Sequence, residues 1–313
     1  MSEQIVVAMG VHVLDVLVRP VTEIPAGQGG ALVEQIKMTA AGSAGGTALV
    51  LSRLGATVRS AGAIGTDALG DALLALLARD GVDTTHLLRR DEAQTSASVL
   101  PIRPDGSRPA FHVVGANATY TPEDVTDALL DGVTHVHLGG PEFLGGEKAA
   151  EILARAKERG ITTSADVLAP GDVGVLEWIA GALPQLDYFL PNDEQVLGFT
   201  GADDLEAGCR ALVERGVGCV AATRGGDGAL LVNADGTLAV PATTVEVVDT
   251  TGCGDAFSAG FLRGLGLGRS REEAARLGCA VAGIVAGGLG SDHGVYDLET
   301  ADAVPANWPP PGR

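Results

Sequence analysis

Aromatic side chains are scarce in this 313-residue chain: Phe, Tyr and Trp together make 4%. The core must therefore be built from Ala, Val and Leu. Basic residues are also few, with 21 Lys and Arg against 40 Asp and Glu, a net charge of −19. No Lys/Arg cluster forms a basic face, which excludes a nucleic-acid partner. The four cysteines, Cys209, Cys219, Cys253 and Cys279, make no C-x-x-C pair and no zinc spacing with histidine. They read as reduced thiols of a cytoplasmic protein. The stretch Met1–Met9 carries Glu3 and runs straight into a strand pattern, unlike a secretory signal. No apolar run is long enough to span a membrane, the Gly-rich 277–290 included. A P-loop, a protein-kinase Gly-rich loop and a G-x-G-x-x-G after the first strand are all missing. Those nucleotide-binding classes are thereby set aside.

What is abundant is glycine, 45 residues, within a chain that is 46% apolar. Apolar runs alternate with amphipathic stretches that close on glycine. Strands are expected at 4–9, 57–61, 134–138, 161–166, 187–190 and 219–223. Helices are expected at 44–54, 67–79, 146–159 and 203–215. This is the rhythm of βαβ units on a mostly parallel sheet. Two segments break it: strand-like runs at 13–18 and 32–38, and a hairpin at 97–114 around Pro104-Asp-Gly-Ser107. They are read as a small β lid, residues 11–40 and 93–115, on an α/β core of 1–10, 41–92 and 116–313. A lid that excludes water suits transfer chemistry in which water is the competing nucleophile. The four-proline tail from Pro305 is expected to be extended.

The densest local signal is Asp249-Thr-Thr-Gly-Cys-Gly-Asp255-Ala-Phe257, followed by a helix-compatible run. Gly252 and Gly254 allow backbone N–H groups to turn inward at a helix start, where anions are favoured. A carboxylate at 255 beside that anion could accept a proton from an attacking hydroxyl. On local grounds, simple helix capping explains the same residues equally well. His135 and His137 share one strand face, but no third ligand is spaced for a metal, so they read as ordinary strand histidines.

The 249–257 segment resembles the second signature of the ribokinase-like (PfkB) carbohydrate kinases, D-T-x-G-A-G-D-x-F, with Cys253 at the usual Ala. That resemblance implies a three-layer α/β/α fold with a β lid. It also implies Gly252, Cys253 and Gly254 as an anion hole and Asp255 as catalytic base. Further segments are similar in the same order. Gly10-Val-His-Val-Leu-Asp15 resembles the first-strand motif whose Asp holds sugar hydroxyls. Residues 41–48 are similar to G-G-x-x-x-N-x-A, implying Gly42 near the substrate and Gly46 at the usual Asn. Loss of that amide is expected to open room beside Asp15 and to make free ribose a poor acceptor. Gly115-Ala-Asn117 matches a family run and implies Asn117 in the substrate site, and Asp67 is expected to be a helix cap.

For the nucleotide, Thr223-Arg-Gly225-Gly-Asp-Gly228 looks like the family's phosphate-lining T-x-G-x-x-G. Asn192 opens a segment similar to N-x-x-E, with Gln195 at the acidic position and Glu194 one place early, implying a role toward magnesium. Cys279 stands where relatives often carry an adenine-pocket Asn. Asp249 and Thr251, with the 287–291 loop, resemble a monovalent-cation site, K+ in relatives. The implied cofactors are ATP and Mg2+ and the implied substrate is a small sugar-like molecule; separately, an exposed lid edge could pair with a second lid to make a homodimer. A nucleoside kinase stacking a base on Phe111 and a non-catalytic binding relative remain open. A phosphosugar kinase would use a lid cation, whereas Arg103 and Arg108, flanking the turn, are expected to be solvated.

Overall fold

A computed structural model describes residues 3–104 and 106–304. The proline tail and Asp105 lie outside these. The chain opens with β1 (Ile5–Gly10), β2 (Val13–Arg19) and β3 (Gln35–Ala41), followed by α1 (Ser43–Arg53), β4 (Thr57–Gly65), α2 (Ala68–Arg79) and β5 (Asp83–Arg90). Strands β6 (Ala97–Pro101) and β7 (Phe111–Val113) come next. Then follow α3 (Asp127–Leu130), β8 (His135–Gly139), α4 (Gly146–Glu158), β9 (Thr162–Asp166), α5 (Val173–Ile179) and β10 (Tyr188–Phe189). Helices α6 (Asp193–Thr200) and α7 (Leu205–Glu214) precede β11 (Cys219–Thr223) and the hairpin β12 (Ala229–Asn233), β13 (Gly236–Val240). The chain continues through α8 (Cys253–Gly266), α9 (Arg271–Ala286) and α10 (Leu298–Asp302).

Nine strands form one sheet in the order β13-β12-β11-β10-β9-β8-β1-β4-β5, parallel from β11 to β5, with an antiparallel hairpin at the β13 edge. Side chains of β1 alternate between the two faces. Val6 and Ala8 pack with α1, α2, α8 and α9, whereas Val7 and Met9 pack with α4, α6 and α7. The result is the three-layer α/β/α arrangement. After β1 the chain builds outward to β4 and β5, then returns to β8 on the other side. Strand order therefore reverses at the β1–β8 pair, where ligands of open α/β sheets bind at the carboxyl ends. There Gly10 lies against Gly139, whose carbonyl occupies the space a Cβ would need.

A second sheet of four strands has the order β3-β2-β6-β7. One of its strands differs from expectation: β3 begins at Gln35, three residues after the anticipated Leu32, which is fully exposed. Pairing decides this, because β3 runs alongside β2 from Arg19↔Gln35 to Val13↔Ala41 and so delivers Gly42 to the start of α1. Asp67 caps α2, accepting from Gly70 N at 2.9 Å, and its second oxygen accepts from Thr95 N at 2.8 Å. That bond fixes the approach to β6.

Candidate active site

The turn before α8 is built around two polar anchors. Asp249 is buried and accepts three bonds, from Thr251 N (3.0 Å), Thr251 Oγ1 (2.8 Å) and Gly290 N (3.0 Å). Gly252 then takes φ 77°, a left-handed value that favours glycine, and a Cβ there would lie 2.7 Å from Ser291 Cα. The chain can thus turn directly into the 14-residue α8, whose first-turn amides point out of the helix end. Gly254 is exposed, with nothing within 4 Å of a Cβ built on it.

Asp255 sits in this first turn. Burial, then the carboxylates of Asp166 and Asp15, hold its pKa well above the ordinary carboxylate value, while Arg108 opposes the shift. Asp15, on β2, is 7% exposed. Its pKa is pushed up to about 6, mainly by burial, with a Ser98 hydrogen bond and Arg108 pulling it down. Asp15 comes from the second sheet and Asp255 from helix α8, and the Asp15 charge reaches Asp255.

Helix α1 enters the same place. Gly42, with φ 81°, precedes it, and a Cβ there would meet the Val11 carbonyl at 2.7 Å. One turn on, Gly46 packs directly against Asp255, and Thr47 Oγ1 donates to the Asp255 carbonyl at 3.5 Å. The room expected at Gly46 beside Asp15 is therefore filled by the Asp255 carboxylate. Asn117 is 4% exposed and spends its amide on the linker between β1 and β2: Nδ2 donates to His12 O (3.0 Å) and Oδ1 accepts from His12 N (3.2 Å). His12 bridges Gly10 O and Ser60 Oγ, and burial lowers its pKa to about 4.

A cavity of about 370 Å³ opens at the first turn of α8. Thr223, Gly225 and Gly228 line one side, Cys253 and Gly254 the floor, and Cys279 of α9 another wall. Residues far apart in sequence thus converge on one cleft. Burial pushes the Cys253 thiol up to about 12, so it contributes shape rather than a thiolate. Asn192 caps α6 in a reciprocal box with Gln195, whose Oε1 accepts from Asn192 N at 2.9 Å. Gln195 Nε2 donates to Val167 O (2.9 Å) and Ala169 O (3.0 Å), so both ends of its amide hold backbone. Glu194 is exposed on α6.

Other residues join the site that motif reading did not single out. Asp166 ends β9 and is 6% exposed; its Oδ1 has no hydrogen-bond partner among the described residues and lies 3.5 Å from His137 Nε2. A carboxylate closing the parallel strand next to the reversal point was the signal available for it. Glu142 holds the following loop, accepting from Leu168 N (2.7 Å) and Ala169 N (2.9 Å). Arg108 is not merely solvated. Its Nε donates to Thr250 Oγ1 at 3.4 Å, and its charge acts on both Asp15 and Asp255. The buried Ser291 hydroxyl, against Gly252, has no partner among the described residues.

The pfkB family carbohydrate kinase profile matches residues 6–296. An uncharacterized sugar kinase of Archaeoglobus fulgidus is 30% identical over 232 residues, 74% of this chain and 92% of its own. An ATP-dependent ribose-1-phosphate kinase of Halopiger xanaduensis is 29% identical over 93% of this chain and 94% of its own. In structure, a chain described as a ribokinase II from E. coli, solved with ATP and Mg2+, superposes with a TM-score of 0.84 at 20% identity, covering 97% of this chain and 99% of that one. Matched from residue 6 to residue 296, this chain belongs to the pfkB family of carbohydrate kinases.

Proposed function

We propose that this protein transfers the γ-phosphoryl group of ATP to a hydroxyl of a sugar or sugar-like alcohol, with Asp255 as general base. The observation that carries this is the juxtaposition at α8: a left-handed glycine turn, an N-terminal helix turn whose Cys253 and Gly254 line the 370 Å³ cleft, and next to them a carboxylate within electrostatic reach of Asp15. The acceptor hydroxyl gives its proton to Asp255 as its oxygen bonds to the γ-phosphorus and the bond to the β-phosphate oxygen breaks. Charge spread over the transferring oxygens is met by the amides of residues 252–254. A raised pKa suits the base, because proton transfer is most effective when the base titrates near the working pH. Asp15 orients the acceptor by accepting hydrogen bonds from its hydroxyls.

The residues present fit a divalent cation. Asp166, with an unpartnered buried oxygen near Asp255, is the carboxylate suited to Mg2+, whereas the Gln195 amide is committed elsewhere. Mg2+, when bound, neutralises phosphate charge. The second sheet serves as the lid, with Asp15, Ser98 and His112 on its inner face. Phe111 pairs with Val99 on the other face and is 61% exposed, which turns it away from a nucleobase stacked beside Asp15 and favours a sugar. That outer face, with Ile36, Met38 and Val99 also exposed, is where a second copy would pack.

The test is a phosphorylation screen over pentoses, hexoses, ketohexoses, acidic and phosphorylated sugars, and nucleosides, with Asp255→Asn alongside. The variant should bind MgATP within a few-fold of wild type and lose at least about a hundredfold in kcat. Near-normal turnover would remove Asp255 from the reaction. Free ribose should not give the highest kcat/KM, since position 46 offers no amide to its hydroxyls.

A further inference from the structure

The loop that follows α9, residues 287–294, is wedged between two parts of the molecule. On one side it touches the turn before α8: Gly290 N donates to Asp249 Oδ2 at 3.0 Å, and Ser291 backs directly onto Gly252. On the other it touches the second sheet. Leu289 is buried in a small apolar cluster with Leu17, Leu100 and Ile102, and a Cβ on Gly290 would meet Thr39 Cγ2 at 3.0 Å.

One cation from the second sheet grips this loop. Lys37 stands on β3 opposite Leu17, and its Nζ donates to the Leu289 carbonyl at 2.6 Å. The same ammonium is 2.7 Å from Asp292 Oδ1, whose side chain is 8% exposed. Asp292 is also held from the core, by Arg79 at 3.2 Å on its other oxygen and by Arg53 Nη1 donating to its carbonyl at 2.9 Å. The arginines belong to α2 and α1, so they fix the loop to the core. Lys37 belongs to the sheet that carries Asp15. Its pairing is largely shielded from solvent, where an ion pair is screened less than at the surface.

We propose that Lys37 is a positioning residue for the anion hole. Its tethered ammonium holds loop 287–292 to the second sheet, so the backbone geometry at Gly252 answers to the position of the sheet that bears Asp15. The acceptor site and the phosphoryl site are then mechanically joined through one loop. This rests on the reading of residues 252–254 as the phosphoryl site, but the coupling itself can be measured without any acceptor.

The experiment is amide hydrogen exchange by mass spectrometry on wild type, Lys37→Met and Lys37→Arg, alongside steady-state kinetics. In Lys37→Met, exchange across 249–256 should quicken by about tenfold or more, while α4, on the opposite face of the main sheet, stays unchanged. Lys37→Arg should remain close to wild type. With an acceptor in hand, kcat of Lys37→Met should fall at least about tenfold with the acceptor KM within about threefold, and Lys37→Arg should keep most of it. A folded Lys37→Met with unaltered exchange at 249–256 overturns the coupling. Should Lys37→Met not fold, Asp292→Asn breaks the same clamp from the other end and is held to the same exchange criterion. Altered exchange in a chain that phosphorylates no acceptor would support the coupling and count against the kinase reading.

Discussion

A Cβ on Gly46 would land on the carboxylate of Asp255, 2.9 Å from its Cγ. Helix α1 and helix α8 therefore meet at the proposed base, and glycine is what lets them meet. Gly46→Ala should displace Asp255 by a fraction of an ångström to an ångström. Misplacement on that scale lowers kcat by about tenfold or more while MgATP affinity stays within about threefold. Steady-state kinetics beside calorimetric titration of MgATP decides it, and an unchanged kcat would show that the carboxylate has room to spare.

Asp15 carries a stability signature of its own. Its folded pKa of about 6 lies above the unfolded value near 3.8, so the folded chain holds that proton more tightly. The resulting stabilisation is fully present below about pH 4 and is lost as pH rises through 6. At pH 8 the ionised, buried carboxylate costs up to about 3 kcal/mol, with the opposing pull of Ser98 and Arg108 already included. Asp15→Asn should accordingly melt above wild type at pH 8 and lose that advantage near pH 4. The same variant should weaken the sugar and spare MgATP. Melting curves across the pH series, with equal titration of both ligands, test the two halves separately.

Arg108 lowers the pKa of both Asp15 and Asp255. Arg108→Ala should move the acid limb of the kcat/KM profile to higher pH, because carboxyls freed from that cation lose their protons only at higher pH. Since Arg108 is exposed, the displacement should shrink as ionic strength rises and the Debye length shortens. A profile that stays in place at low salt would return Arg108 to the solvated role its sequence position suggested.

The turn into α8 was legible because it is local: Asp249 through Asp255 is one stretch, and its geometry follows from the glycine at 252. The parallel core was legible for the same reason, each strand and helix carrying its own period. Strand β5 was not, because Asp83–Arg90 is a polar, half-exposed edge strand without an apolar run. The roles of Asp166, Arg108 and Lys37 depend on partners 89, 142 and 252 residues away, namely Asp255, Thr250 and Leu289. No spacing rule reaches that far. Asn117 and Gln195 stand where the motifs put them, yet their amides are bound to backbone, which only coordinates can reveal.

The close packing of α8 on α9 has a consequence for how this protein tolerates change. A Cβ on Gly260 would come within 2.8 Å of Gly278 Cα, and one on Gly278 within 2.8 Å of the Phe257 carbonyl. These glycines touch no proposed ligand, yet they set the angle at which α8 presents Asp255. A saturation library scored by growth on the acceptor would mark 260 and 278 as sharply as 255. Scored instead by protein abundance, it would mark the two glycines and pass over the aspartate, separating the residues that shape the helix from the one proposed as base.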